Sequence, residues 1–187
     1  MLTAPQRQKL LTVARESVMA ACCNAAEPDL TTDDPYLTAV QGAFVTLHAP
    51  DGDLRGCIGH IEGHEPLIET VADMAVAAAT QDPRFPRVRC EEVPGLHIEI
   101  SVMSPIREVK EVGEIEVGRH GLIVTCGYRR GLLLPQVATE YAWTCDEFLC
   151  HTCIKAGLPP HAWRDEATTI ECFEAEVFSE AKPQVAR

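Results

Sequence analysis

A cysteine flanked by glycines, Cys57, is the residue of this sequence best suited to chemistry. It lies in the stretch GDLRGCIGH, residues 52–60, between Gly56 and Gly59. Glycines remove side-chain bulk, so a ligand or a backbone segment can approach the sulfur closely. Positive charge stabilises a thiolate, and Arg55 lies two residues away, a spacing that places both side chains on one face of a strand. The alternative is a structural role, in which Cys57 packs in the core and the glycines accommodate a bulge.

Two residues could act as a base for such a thiol. His120 precedes Gly121 at the start of a predicted strand and is the preferred candidate, because an imidazole titrates in the range that general base catalysis needs. Glu99 lies on the polar side of an alternating strand, LHIEISVM. Its spacing leaves open whether this carboxylate is solvated or lies in a pocket.

The proline-rich segment QDPRFP supplies a candidate ligand-facing loop. Its chemistry comes from Asp82, Arg84 and Phe85, because a guanidinium can fork onto a carboxylate or a phosphate. The alternative, which we favour, is a turn closed by Asp82 and Arg84 with Phe85 anchored in the core.

Three further cysteines, Cys145, Cys150 and Cys153, have a spacing that also occurs in iron–sulfur proteins. They fall inside a helix that Thr144 is predicted to cap, and no fourth ligand is evident. Packing is therefore favoured over a metal or redox site. The chain has nine cysteines, an odd number for a disulfide framework, and we predict that they are reduced.

Composition excludes several classes of partner. The chain has 187 residues, within the range of one domain, and its 16 Lys and Arg against 28 Asp and Glu give a net charge of −12. Such an acidic surface repels phosphate backbones and anionic headgroups, so nucleic acid and membranes are not expected as partners. Charges interrupt the N-terminal segment, which predicts a cytoplasmic protein.

The order of elements predicts the fold class. Helical periodicity, strand alternation and turn signals predict helices over 5–23, 65–80, 136–143 and 144–157, and strands over 42–48, 54–60, 96–103, 120–126, 131–135 and 169–178. Two hairpins without regular βαβ alternation favour an α+β fold, with an antiparallel β-sheet flanked by helices.

Several stretches together resemble a known family: GAFVTLHAPDGDLRGCIG, DPRFP, LHIEISVMSP, GRHGLIV, GLLLPQVATEYAW and TCIKAGLPPHAW. They closely resemble the bacterial and archaeal branch of the AMMECR domain family, the A component of AmmeMemoRadiSam systems. The resemblance covers residues 4–180 of a single domain, leaves 181–187 as a C-terminal tail, and has LRGCIG as its most specific motif. It implies a larger and a smaller lobe with LRGCIG lining a cleft between them.

The resemblance also implies a small-molecule ligand in that cleft and two protein partners, a Memo-like protein and a radical S-adenosylmethionine enzyme. It implies no cofactor. The catalytic candidates are Cys57, His120 and Glu99. The candidates for substrate binding are Arg55, Gly56, Asp82, Arg84, Phe85, Gln136 and Cys153.

Three functions compete at this point. In the first, Cys57 attacks an electrophilic carbon or sulfur, His120 or Glu99 moves the proton, and an arginine fixes an anionic group. In the second, the chain is a non-catalytic adaptor for the two partners and LRGCIG is a tight structural turn. The third and weakest is a metal site formed by Cys57, His120 and Cys153.

Overall fold

The computed structural model describes residues 1–181, so most of the tail predicted over 181–187 lies outside the described residues. In chain order the elements are α1 (Ala4–Cys23), β1 (Ala43–His48), β2 (Leu54–His60), α2 (Leu67–Thr80), β3 (His97–Met103), β4 (Arg107–Glu108), β5 (His120–Cys126), β6 (Arg129–Leu133), α3 (Pro135–Glu140), α4 (Cys145–Lys155) and β7 (Thr169–Ser179). The chain divides into two compact units, one of Met1–Met103 with the residues from Glu176 onward and one of Ser104–Ala175. The predicted α+β class with an antiparallel sheet flanked by helices is confirmed.

The first unit is built on the predicted hairpin. Strand β1 lies between β2 and β3 and pairs antiparallel with both. Burial alternates along β1, where Ala43, Val45 and Leu47 are fully buried and the residues between them are half-buried. Helices α1 and α2 pack on each other, and α2 packs on β1 and β2. The core therefore lies between the helices and one face of the sheet.

Local capping explains where the long helices begin. Thr3 and Gln6 form a capping box at the start of α1, and Thr144 and Glu147 form another at the start of α4. The helix predicted from residue 65 begins only at Leu67, because Pro66 has an extended ψ and serves as the N-cap. No helix among residues 1–181 is long and apolar enough to cross a membrane.

The second unit is an antiparallel arrangement in which β5 pairs with β6 and β7, and β7 also pairs with the short β4. Helix α4 packs against β5 and β6. Gly131 of β6 permits this close approach, because a Cβ there would lie 2.2 Å from the Ala156 nitrogen. Phe148 and Leu149 of α4 are fully buried in the core of this unit.

One prediction about the cysteines is wrong. Cys23 and Cys90 form a disulfide that joins the last residue of α1 to a 3₁₀ helix over Cys90–Gly95. The other seven cysteines are free. Sequence reasoning missed the pair because its members are 67 residues apart, and only the packing of α1 against the 3₁₀ helix brings their Cα atoms to 4.9 Å.

Candidate functional site

The candidate site lies on the face of the first unit's sheet that points away from α2. Gly56 shows the orientation, since a Cβ there would lie 2.2 Å from the Ala78 carbonyl oxygen of α2. Because successive side chains alternate between faces, Cys57 points the other way. We call this side the polar face and define it by Thr46, Cys57 and Glu99, which are all half-buried. Thr46 is the register partner of Cys57 on β2 and of Glu99 on β3.

The Cys57 sulfur has a hydrogen-bond donor beside it. The Thr46 hydroxyl donates to Sγ of Cys57 over 3.3 Å. The backbone N–H of Cys57 donates to Oδ2 of Asp82 over 2.8 Å, which ties this strand position to the loop after α2. A hydroxyl that donates to sulfur stabilises the thiolate relative to the thiol.

Asp82 and Arg84 form a tight ion pair next to this cysteine. The buried Asp82 carboxylate accepts from Arg84 Nε at 3.0 Å, from its Nη2 at 2.7 Å and from its backbone N–H at 3.0 Å. The hydrogen bond from the guanidinium, assisted by backbone N–H groups, holds the pKa of Asp82 well below its usual range against the opposing effect of burial. Asp82 therefore stays ionised and holds the guanidinium in one orientation through a bidentate contact.

The Arg84 guanidinium is held but still accessible. Its side chain is 54% exposed, and Nη2 also donates to the Cys57 carbonyl oxygen over 3.4 Å. The pKa of Arg84 is raised first by its hydrogen bond to Asp82 and also by the negative charge of that carboxylate, against the lowering effect of burial. Among the described residues, Nη1 of Arg84 has no hydrogen-bond partner. It is thus free to bind an anionic group close to the Cys57 backbone.

Phe85 does not take the position that the favoured interpretation gave it. The turn closed by Asp82 and Arg84 is present, but Phe85 is half-buried rather than anchored in the core. The Arg84 guanidinium carbon lies 5.5 Å from the centre of the Phe85 ring, within the range of a cation–π contact. The Phe85 ring therefore contacts the guanidinium rather than packing into the core.

Arg55 and Gly56 make structural contacts within LRGCIG. Arg55 pairs with both carboxylate oxygens of Glu92, at 3.0 and 3.3 Å, donates to the Pro86 carbonyl oxygen, and is 13% exposed. This pairing holds the pKa of Glu92 down at about 2. The strand register shifts beside Arg55, as in a β-bulge, and buried Gly56 admits the backbone of α2 rather than a ligand. Their assignment to substrate binding gains no support from these contacts.

The two candidate bases have different surroundings. In the part of the chain described, the Glu99 carboxylate has no hydrogen-bond or ion-pair partner. His120 is buried in the second unit, where its Nδ1 accepts from the Glu116 N–H over 3.0 Å and its Nε2 lies 3.6 Å from Glu174 Oε1. These contacts assign the ring proton to Nε2 and occupy both nitrogens. The contacts leave neither ring nitrogen of His120 free, and Glu99 lies across β1 from Cys57 with Thr46 between them, so the catalytic role of either residue stays a prediction.

The remaining candidates also belong to the second unit. Gln136 is exposed in the first turn of α3. Cys153 is fully buried and packs with Val124 and Ala162, as the packing interpretation of α4 expects. Cys150 lies 3.5 Å from Nδ1 of His161. Within residues 1–181, no three His, Cys, Asp or Glu side chains are grouped so as to hold a metal ion, so the weakest of the three functions finds no ligand set there.

Sequence reasoning missed two residues that shape the site, Thr46 and Glu92. Thr46 could have been found, because the Asp51-Gly52 turn sets the hairpin register and counting back from it places Thr46 near Cys57. Glu92 carries no such signal. It lies 37 residues from Arg55, and only the tertiary fold pairs them.

The fold and the site define an α+β protein whose antiparallel sheet carries a half-buried cysteine that is hydrogen-bonded to a threonine hydroxyl. The AMMECR1 family model matches residues 11–178, and the chain belongs to this family. It is 48% identical over 151 residues to Protein MJ0810 of Methanocaldococcus jannaschii, covering 77% of this chain and 75% of the relative. It is 42% identical to Protein MK0488 of Methanopyrus kandleri over 191 residues, covering 98% and 92%.

A solved structure is similar as well. The crystal structure of the protein PH0010 from Pyrococcus horikoshii superposes with a TM-score of 0.76 at 41% identity, covering 94% of this chain and 91% of that one. The likeness extends over both units, so the fold is that of the family.

Proposed function

We propose that this AMMECR-family chain is a thiol-dependent small-molecule enzyme, or the thiol-bearing component of one, with Cys57 as its nucleophile. The observation that carries the proposal is the hydrogen bond that the Cys57 sulfur accepts from the Thr46 hydroxyl over 3.3 Å, in a residue whose backbone carbonyl oxygen accepts from the guanidinium that Asp82 clamps. Donors and positive charge near a half-buried thiol are the surroundings that favour a thiolate. A cysteine that only fills space needs neither.

Each residue at or beside the polar face then has one role. The Cys57 thiolate forms a bond to an electrophilic carbon or sulfur of the substrate, and the leaving group departs with the electron pair of the bond that breaks. Nη1 of Arg84 binds an anionic part of the substrate, and the thiol proton passes through solvent water to Glu99, which lies across β1 from Cys57. Arg55 and Gly56 hold β2 in place. The Memo-like and radical S-adenosylmethionine partners rest on the family resemblance alone, and the substrate is a small molecule whose identity the assembled system must reveal.

The first test is selective alkylation. The chain is treated with a limiting amount of iodoacetamide at pH 7, and each cysteine peptide is quantified by mass spectrometry. Cys57 should react before the other six free thiols. An unreactive Cys57, together with a fully active Cys57→Ser variant in the reconstituted system, refutes the proposal.

The second test concerns the charge of Arg84. Iodoacetate carries a carboxylate that iodoacetamide lacks, so the wild-type chain should show a higher ratio of iodoacetate to iodoacetamide rates at Cys57. Arg84→Gln should lower that ratio. Arg89→Gln is the matched control, because Arg89 is 71% exposed and pairs with Glu91 and Glu92 rather than lying beside Cys57. Equal ratios in the two variants count against an anion site at Arg84.

One observation favours the adaptor function. LRGCIG forms strand β2 rather than the tight turn expected for this function, but Arg55 and Gly56 within it serve packing, as a structural role requires. If the chain is only an adaptor, Cys57→Ala binds the Memo-like and radical-enzyme partners as the wild type does and the assembled system keeps its activity. A system that assembles with Cys57→Ala but loses activity instead supports the thiol chemistry.

A further inference from the structure

A groove on the first unit has a disulfide in its wall. The cavity has a volume of about 800 Å³ and lies between α1 and the 3₁₀ helix over Cys90–Gly95. One wall is a row of α1 side chains spaced three or four residues apart, which lie on one face of the helix: Gln8, Leu11, Arg15 and Met19. Cys23 and Cys90 close one end of this row. None of these residues belongs to the polar face around Cys57.

The two sulfur-bearing residues differ in accessibility. Cys90 is exposed, whereas Cys23 is half-buried at the end of α1. A thiolate in the groove therefore reaches the Cys90 sulfur first, and Cys23 becomes the leaving thiolate. Exchange of this kind needs an accessible sulfur and depends on which of the two is attacked.

The fold holds both cysteines in place when the bond is open. Arg15 donates to the carbonyl oxygens of Val93 and Leu96 over 2.8 and 2.7 Å, which ties the 3₁₀ helix to α1. The Arg55–Glu92 pair ties the same helix to β2. These contacts do not depend on the disulfide, so the reduced cysteines stay close enough to join again.

Neighbouring groups suit exchange with an external thiol. Cys22 is the nearest other thiol in sequence, but burial raises its pKa despite the positive charges of Arg87 and Arg55, so it stays protonated and does not compete. The groove offers apolar surface from Leu11 and Met19. Among the described residues, the side chains of Gln8 and His97 are free to hydrogen-bond a polar ligand there.

We propose that the Cys23–Cys90 disulfide is a site of thiol–disulfide exchange, at which a small-molecule thiol bound in the groove forms a mixed disulfide with Cys90. The thiolate of the small molecule bonds to Cys90 Sγ, the disulfide breaks, and Cys23 leaves as a thiolate that takes up a proton from solvent. A second small-molecule thiolate then attacks the sulfur that the first one contributed, which releases a small-molecule disulfide and the Cys90 thiolate. Two small thiols are oxidised and one protein disulfide is reduced.

Glutathione is the probe for the test. The full chain, purified without reductant, is incubated with increasing glutathione, quenched with N-ethylmaleimide, digested without reduction and mapped by mass spectrometry. We expect a cross-linked Cys23–Cys90 peptide at the start. At intermediate glutathione, Cys90 should carry the glutathione adduct and Cys23 the maleimide.

Substitutions in α1 separate binding in the groove from simple exposure. Met19→Trp fills the groove and should slow adduct formation several-fold, whereas Thr12→Trp, at an exposed position of the same helix outside the groove, should leave it unchanged. Circular dichroism checks that both variants keep the wild-type fold. Absence of the cross-linked peptide, an adduct on Cys23 instead of Cys90, or equal rates in the two variants would each overturn the proposal. None of these outcomes depends on the reactivity of Cys57.

Discussion

The Thr46 hydroxyl provides the sharpest test of the proposed thiol chemistry. In Thr46→Val, the side chain keeps its shape and loses the group that donates to Cys57 Sγ over 3.3 Å. A hydrogen bond to a charged group contributes about 1.5–3 kcal/mol, and a half-buried bond to sulfur, a weak acceptor, falls below that range, at about 1 kcal/mol. Because 1.4 kcal/mol corresponds to a factor of ten, loss of this hydrogen bond should slow the reaction of Cys57 with an electrophile about fivefold.

The assay is the pseudo-first-order rate of Cys57 alkylation by iodoacetamide at pH 7, read from peptide masses. Cys126, a free and half-buried thiol of the second unit, is the internal reference. Thr46→Val should lower the ratio of the Cys57 rate to the Cys126 rate about fivefold. Thr46→Ser, which keeps the hydroxyl, should retain most of the wild-type ratio.

Two results would refute this reasoning. If Thr46→Val alkylates as fast as the wild type, the hydroxyl does not stabilise the thiolate. If Thr46→Ser is as slow as Thr46→Val, the effect comes from packing around the strand and not from hydrogen bonding.

Three further predictions concern the scaffold around the cysteine. Gly56→Ala places a Cβ 2.2 Å from the Ala78 carbonyl oxygen and should lower the free energy of unfolding in urea by about 2 kcal/mol or more, whereas Gly113→Ala, which meets nothing within 4 Å, should change it by less than about 0.5 kcal/mol. The pKa of Glu92 is lowered from 4.5 to about 2 in the folded chain, so its contribution to stability is complete above pH 4.5 and is lost as the pH falls toward 2. Glu92→Gln should therefore flatten that part of the acid-unfolding profile. An unchanged profile would contradict the ion pair. Asp82→Asn should lower the free energy of unfolding by about 2 kcal/mol and also reduce the preference of Cys57 for iodoacetate, because the guanidinium loses its anchor; retention of that preference would show that the clamp is dispensable.

Local signals account for what the sequence predicted well. The Asp51-Gly52 turn and the alternation on either side of it predict β1 and β2, and Cys57 lies on the second strand as expected. The Thr144 cap predicts the start of α4, and Gly157 follows its end with a positive φ of 72°. Each of these features is decided by residues that are close together along the chain.

Long-range pairings account for what the sequence could not predict. The disulfide partners are 67 residues apart, and the Arg55–Glu92 pair spans 37. Nothing in the sequence near Arg55 indicates that its guanidinium is already paired with a carboxylate, so its spacing from Cys57 predicted a shared pocket. The arginine that contacts the cysteine backbone and keeps Nη1 without a partner among the described residues is Arg84, which comes from a loop 27 residues away.

Side chains within GCI alternate between the two faces of the sheet, so the packing residues and the candidate nucleophile lie on opposite faces. Gly56 faces α2 and Ile58 packs against the apolar core, so the residues on either side of the cysteine make the contacts that hold β2 against that core. Cys57 points to the opposite face, where the Thr46 hydroxyl donates to its sulfur, and its backbone carbonyl oxygen accepts from the clamped guanidinium. Since a thiol placed only for packing gains from apolar neighbours, the polarity of this position favours a thiol that reacts. Gly56 supports that role indirectly, because it lets the strand lie against the helix while the sulfur faces away from it.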